Sequence, residues 1–88
     1  MASKRRLKKA VNRFMFDVIE ECSFQIIYLP ETDVEKCEKT IANVVALRNE
    51  WIERINSAKK AEQPKVNYKS VVDDFANKSA EIVTDLFA

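Results

Sequence analysis

Apolar residues recur along this chain at alternating steps of three and four, the spacing of one face of an α-helix, in three successive stretches. In the first, Leu7, Val11, Phe14, Val18, Cys22, Gln25 and Leu29 hold that spacing, and Met15, Ile19 and Ile26 widen the stripe. In the second, Val34, Cys37, Ile41, Val44, Arg48, Trp51, Ile55 and Ala58 alternate as the a and d positions of heptads. Val45, Leu47 and Ile52 flank this seam, and only Arg48 interrupts it. In the third, Tyr68, Val72, Phe75, Ser79, Ile82 and Leu86 share a face.

Boundary residues sharpen the pattern. Ser3 is placed to cap the first helix and Pro30 to stop it. The second opens on Thr32-Asp33-Val34-Glu35, in which the threonine hydroxyl caps the backbone and the glutamate three residues on reaches back. Ala61 to Val66, with Gln63 and Pro64, reads as a linker, and Asn67 as the cap of the third helix, with Val66 and Val71 as a hydrophobic staple. The predicted helices span about 3–29, 33–61 and 68–87, rods of roughly 30–45 Å at 1.5 Å per residue. Short connections make neighbours antiparallel. The expected fold is therefore all-α, an antiparallel up-down-up three-helix bundle forming a single domain over residues 1–88.

Composition narrows the chemistry. A domain of 88 residues removes only about 60–65% of its unfolded surface from water, which leaves a thin stability margin. There is no glycine, so phosphate-cradling and dinucleotide-binding loops lose the residue they depend on. There is no histidine, the commonest general base and zinc ligand. Cys22 and Cys37 fall on the apolar faces near the first turn and are expected to be packed core thiols. The neighbouring acids Glu20 with Glu21, and Asp73 with Asp74, diverge by about 100° on a helix and read as solvated faces. Trp51 reads as a core anchor. These features predict a non-enzymatic protein with no cofactor, no metal site and no small-molecule substrate.

No apolar run is long enough to span a bilayer, since Phe24 to Leu29 contains Gln25 and ends at Pro30. Asp17, Glu20 and Glu21 break up the stretch after the basic start, so no signal-peptide segment is read and a cytoplasmic location is expected.

Charge adds the feature that stability does not explain. Residues 1–13 hold Lys4, Arg5, Arg6, Lys8, Lys9 and Arg13 and no acid, whereas residues 14–88 hold nine bases against fourteen acids. Cations at a helix N-terminus forgo about 0.3–1 kcal/mol each. Arg5, Lys9, Asn12 and Phe16 fall on one stripe with Arg6 and Arg13 beside it, a geometry suited to lying along a phosphate backbone. A solvated basic end that keeps the protein soluble is the plainer reading. For Arg48 the two readings are a grip on a carboxylate such as Glu21, or a stem along the core with its head in water.

The first helix also carries more apolar surface than one bundle stripe uses: Phe16, Phe24, Ile27 and Tyr28 point away from the face of Leu7, Val11 and Val18. The leading expectation is a helical interaction module that associates with itself or a partner protein through these four residues. The alternative is a nucleic-acid-associated protein using its six N-terminal cations. The opening Lys4-Arg5-Arg6-Leu7-Lys8-Lys9, followed by a helix with Glu20-Glu21-Cys22, resembles an uncharacterised family of short, all-helical proteins of the Bacteroidetes group of bacteria. The resemblance implies a bacterial cytoplasmic setting and carries over no site residues.

Overall fold

Three helices form where the spacing predicts them: α1 over Ala2–Tyr28, α2 over Val34–Ala58 and α3 over Pro64–Leu86. The computed structural model describes residues 2–58 and 64–87, with side chains placed for 5–57 and 68–87. The predicted last turn of α2 and the first part of the linker lie outside the described residues. The helices pack as an antiparallel up-down-up bundle, a rod with extents of 50 × 18 × 16 Å.

Two boundaries differ from expectation. α3 starts at Pro64, so Asn67 and Val66 lie inside the helix rather than at its cap and entry positions. Proline's fixed φ and missing N–H suit the first helical position, so the residue that reads as a linker breaker is a helix opener. At the start of α2 the cap is Asp33, whose Oδ1 accepts the Lys36 backbone N–H at 3.1 Å. Thr32 instead serves α1: its Oγ1 donates to the Gln25 carbonyl at 2.8 Å, beside the Leu29 N–H to Gln25 carbonyl bond at 3.0 Å. Glu35 does not reach back and pairs with Lys39 at 3.4 Å.

The core falls into two clusters along the rod. One joins Leu7 and Val11 of α1 to Trp51 and Ile55 of α2 and Val71 of α3. The other joins Val18 and Cys22 to Cys37 and Val44, closed by Ile82 and Leu86. Val71 is the most deeply buried residue described in α3. Tyr68, Val72 and Phe75, on the predicted face, are half-buried around it. Phase explains the shift: α3 leans into the groove beside Trp51, and Phe75 meets both Phe14 and Trp51 edge-on, at centroid distances of 5.9 and 5.1 Å.

Polar contacts fix how the helices lie. The Trp51 Nε1–H donates to Asp74 Oδ2 at 2.9 Å, and Arg54 binds the same oxygen at 2.9 Å while reaching Ser70 Oγ at 3.2 Å. Asp74 is therefore a structural acceptor, which corrects the expectation of a solvated face. Asp73 stays exposed. Gln25 Nε2 donates to the Leu86 carbonyl at 3.4 Å and ties the end of α1 to the end of α3.

Candidate interaction surface

A helix in a three-helix bundle buries one stripe, and α1 buries Leu7, Val11, Val18 and Cys22. Its remaining apolar residues stay uncovered: Phe16 is 62% exposed, Phe24 50%, Ile27 70% and Tyr28 66%. The third helix does not wrap over them. Phe24 and Tyr28, one turn apart, stack with centroids 4.9 Å apart and rings tilted by 41°. Ile26 and Leu29, at the same end, are also exposed. The apolar surface is thus concentrated in the C-terminal half of α1.

The N-terminal half of the same outer face is basic. Arg5, Arg6, Lys9 and Arg13 are exposed and Lys8 is half-buried, while the side chain of Lys4 lies outside the described residues. Arg13 makes only a loose pair with Asp17 at 3.8 Å, both largely in water. Asn12, expected on the exposed stripe, is half-buried, and its Oδ1 accepts the Arg48 Nε–H at 2.8 Å. Arg48 also donates from Nη1 to Asn49 Oδ1 at 2.9 Å. Its partners are neutral amides rather than Glu21, whose Oε1 accepts from Gln25 at 3.2 Å. Arg48 thus bridges α1 to α2, half in the seam and half in water.

Folding turns the charge division of the sequence into two poles. The half of the rod around the Trp51 cluster (2–15, 46–58 and 64–76) carries ten basic and four acidic residues, a net charge of +6. The half around the Cys22 cluster (16–45 and 77–86) carries three basic and nine acidic residues, a net charge of −6. An up-down-up path folds each helix's charge gradient onto the same axis, so the near-zero sum hides a strongly bipolar rod. The sequence alone shows the basic start; the acidic pole becomes visible only when the turn, the start of α2 and the end of α3 come together.

The interior supplies little chemistry. Cys22 and Cys37 are buried free thiols within one cluster. Burial pushes the Cys22 thiol up to about 11, and the facing Cys37 thiol and nearby Glu21 act in the same direction. A thiol held protonated is a poor nucleophile and metal ligand. Among the described residues no group of three or more His, Cys, Asp and Glu converges as a metal site. The groove between Asp33, Lys36, Thr40 and Asp85 is open to solvent and is crossed by the Lys36–Asp85 pair at 3.5 Å. No described helix is long and apolar enough to cross a membrane.

Comparison with known proteins returns no matching family model, no matching curated protein and no matching solved structure.

Proposed function

We propose that this chain is a small cytoplasmic helical interaction module without catalytic activity, working through the outer face of α1. One observation carries the reading: Phe16, Phe24, Ile27 and Tyr28 form an apolar face that the bundle leaves half or more exposed. Covering such groups is worth about 1.5–3 kcal/mol each, and contiguous exposed apolar surface is characteristic of contact sites. The contact is helix-on-helix burial, with the aromatic pair as anchor.

The test is a photo-crosslinking side chain at Ile27 in cells producing the protein, against the same group at Glu53 on an exposed face of α2. Protein adducts are expected at position 27, absent at 53, and suppressed by Phe24→Ser. Equal, background-level labelling at the two positions overturns the reading.

The basic pole supports a second reading, contact with nucleic acid through Lys4, Arg5, Arg6, Lys8, Lys9 and Arg13. That reading predicts an affinity for duplex or single strands that falls steeply with salt, with a slope set by the number of phosphates neutralised. Replacing three of the six cations with glutamine then abolishes binding.

A further inference from the structure

We infer that Cys22 and Cys37 form a redox latch: hydrogen peroxide oxidises Cys37 through a pocket at the turn end of the rod, and Cys22 then closes a disulfide that ties α1 to α2. The inference is independent of the reading of the α1 outer face.

Position comes first. The chain's two cysteines stand on neighbouring helices in one core cluster, with Val18 and Val44 beside them and Ile82 and Leu86 packed against them. Their thiols are in contact, since Cys37 acts on Cys22 through a side-chain hydrogen bond as well as through its charge. The short turn between the helices holds this pairing in register: Thr32 Oγ1 donates to the Gln25 carbonyl at 2.8 Å, and Asp33 caps α2. A disulfide needs its two Cβ atoms within about 4.5 Å, and thiols already in contact across two helices meet that need with little movement of the backbone.

Access is unequal. Cys22 has no exposed surface, whereas Cys37 forms part of the wall of a pocket of about 160 Å³ between Gln25, Thr32, Thr40 and Leu86. A space of that size admits a molecule little larger than water. The Thr32 and Thr40 hydroxyls donate to the Gln25 and Lys36 carbonyls at 2.8 and 2.9 Å, so their oxygens keep lone pairs for the O–H groups of a peroxide. The closure beside the pocket is weak: Gln25 Nε2 to the Leu86 carbonyl and Lys36 Nζ to the Asp85 carbonyl are both 3.4 Å.

The chemistry balances with peroxide alone. The Cys37 sulfur, as thiolate, attacks one peroxide oxygen; an S–O bond forms, the O–O bond breaks, and the leaving hydroxide takes up the thiol proton as water. The Cys22 sulfur then attacks the Cys37 sulfenic sulfur; the S–S bond forms, the S–O bond breaks, and the departing hydroxide leaves as water with the Cys22 proton. Two thiols lose two electrons and two protons to one peroxide, which is reduced to two waters. Burial holds Cys22 protonated, which makes the closing step slow and the latch a response to sustained oxidant. In a reducing compartment the disulfide is removed again by cellular thiols. Once closed, it cross-links a loop of about 15 residues, which lowers the unfolding equilibrium constant on the order of a hundred-fold.

The test treats the reduced full chain with hydrogen peroxide under native conditions near neutral pH, followed by alkylation and peptide mapping without reductant. A monomeric product that lacks two hydrogens and links the Cys22 and Cys37 peptides is expected within minutes to hours, and dithiothreitol is expected to restore both thiols. Urea unfolding of the oxidised chain is expected to give an equilibrium constant lower than that of the reduced chain on the order of a hundred-fold. Cys22→Ser is expected to stop at a Cys37 sulfenic acid that dimedone traps, and Cys37→Ser to leave Cys22 unmodified over the same period, with circular dichroism confirming that each is helical. In wild type, dimedone added with the peroxide is expected to label Cys37, so the order of steps is read even where a serine variant fails to fold. Two free thiols after the treatment, or disulfides formed only between chains, overturn the inference. A linked product no more stable than the reduced chain overturns the latch, and dimedone label on Cys22 overturns the order of steps.

Discussion

Asp74 couples the largest core side chain to the surface. Its carboxylate accepts from the Trp51 indole, and this bond holds its pKa below the usual 3.8, against the opposing effect of burial and with help from Lys78 and Arg54. A depressed carboxylate pKa means that the folded state binds the proton less readily than the unfolded chain. The stabilisation is present above about pH 4 and is lost as pH falls through the folded-state value. Asp74→Ala leaves the buried Trp51 N–H without its acceptor and is expected to cost about 1–3 kcal/mol in urea unfolding at pH 7. The penalty diminishes progressively as pH falls below about 4; a penalty that stays undiminished down to about pH 2 contradicts the assignment. Cys22 has the opposite sign. With its thiol raised from 9.0 to about 11, the folded state holds the proton more tightly than the unfolded chain, so this contribution is complete below pH 9 and lost as pH rises toward 11. Native protein is accordingly expected to react with a thiol reagent at pH 8 at least a hundred-fold more slowly than unfolded protein, a factor in keeping with burial and a two-unit shift. Comparable rates contradict the packing of this pair.

At the level of elements, the caps separate residues the sequence places together. Asp33 caps α2, so Asp33→Ala is expected to lower stability by about 1 kcal/mol, whereas Glu35→Gln leaves it nearly unchanged. Thr32→Val, which removes the hydroxyl bound to the Gln25 carbonyl, acts on the end of α1 instead. Equal effects of the Asp33 and Glu35 substitutions would restore the capping box. Both Thr32 and Asp33 are good caps, and sequence gives no means of telling which one the turn rotates onto the new helix. The helices themselves were legible because Leu7, Val11, Val18 and Cys22, and Cys37, Val44, Trp51 and Ile55, repeat at the helical period and are buried as that period requires. The start of α3 was not, because proline is compatible with both a linker and a first helical turn. Asp74 was missed for a different reason. Its spacing from Val71 and Phe75 does place it beside the core, but only the position of the Trp51 indole makes it an acceptor. Arg48 reads correctly as a polar interruption, yet its partner Asn12 is 36 residues away and becomes a neighbour only through the antiparallel pairing of α1 with α2.

Over the whole molecule, apolar surplus and charge division stand on one face. The core fills a narrow rod, and α1 is left with aromatic residues on the side facing neither α2 nor α3. The exposed anchors were legible from their phase on the helix, whereas the two poles required the topology. The most direct measurement of the central claim is positional photo-crosslinking in cells, with the reactive group carried in turn at Phe16, Phe24, Ile27 and Tyr28 and, as controls, at Glu53 and Glu81 on exposed faces of α2 and α3. Protein adducts at the four α1 positions and none at the controls are the predicted result; adducts that are absent everywhere, or equally frequent at the outer faces of α2 and α3, would contradict it.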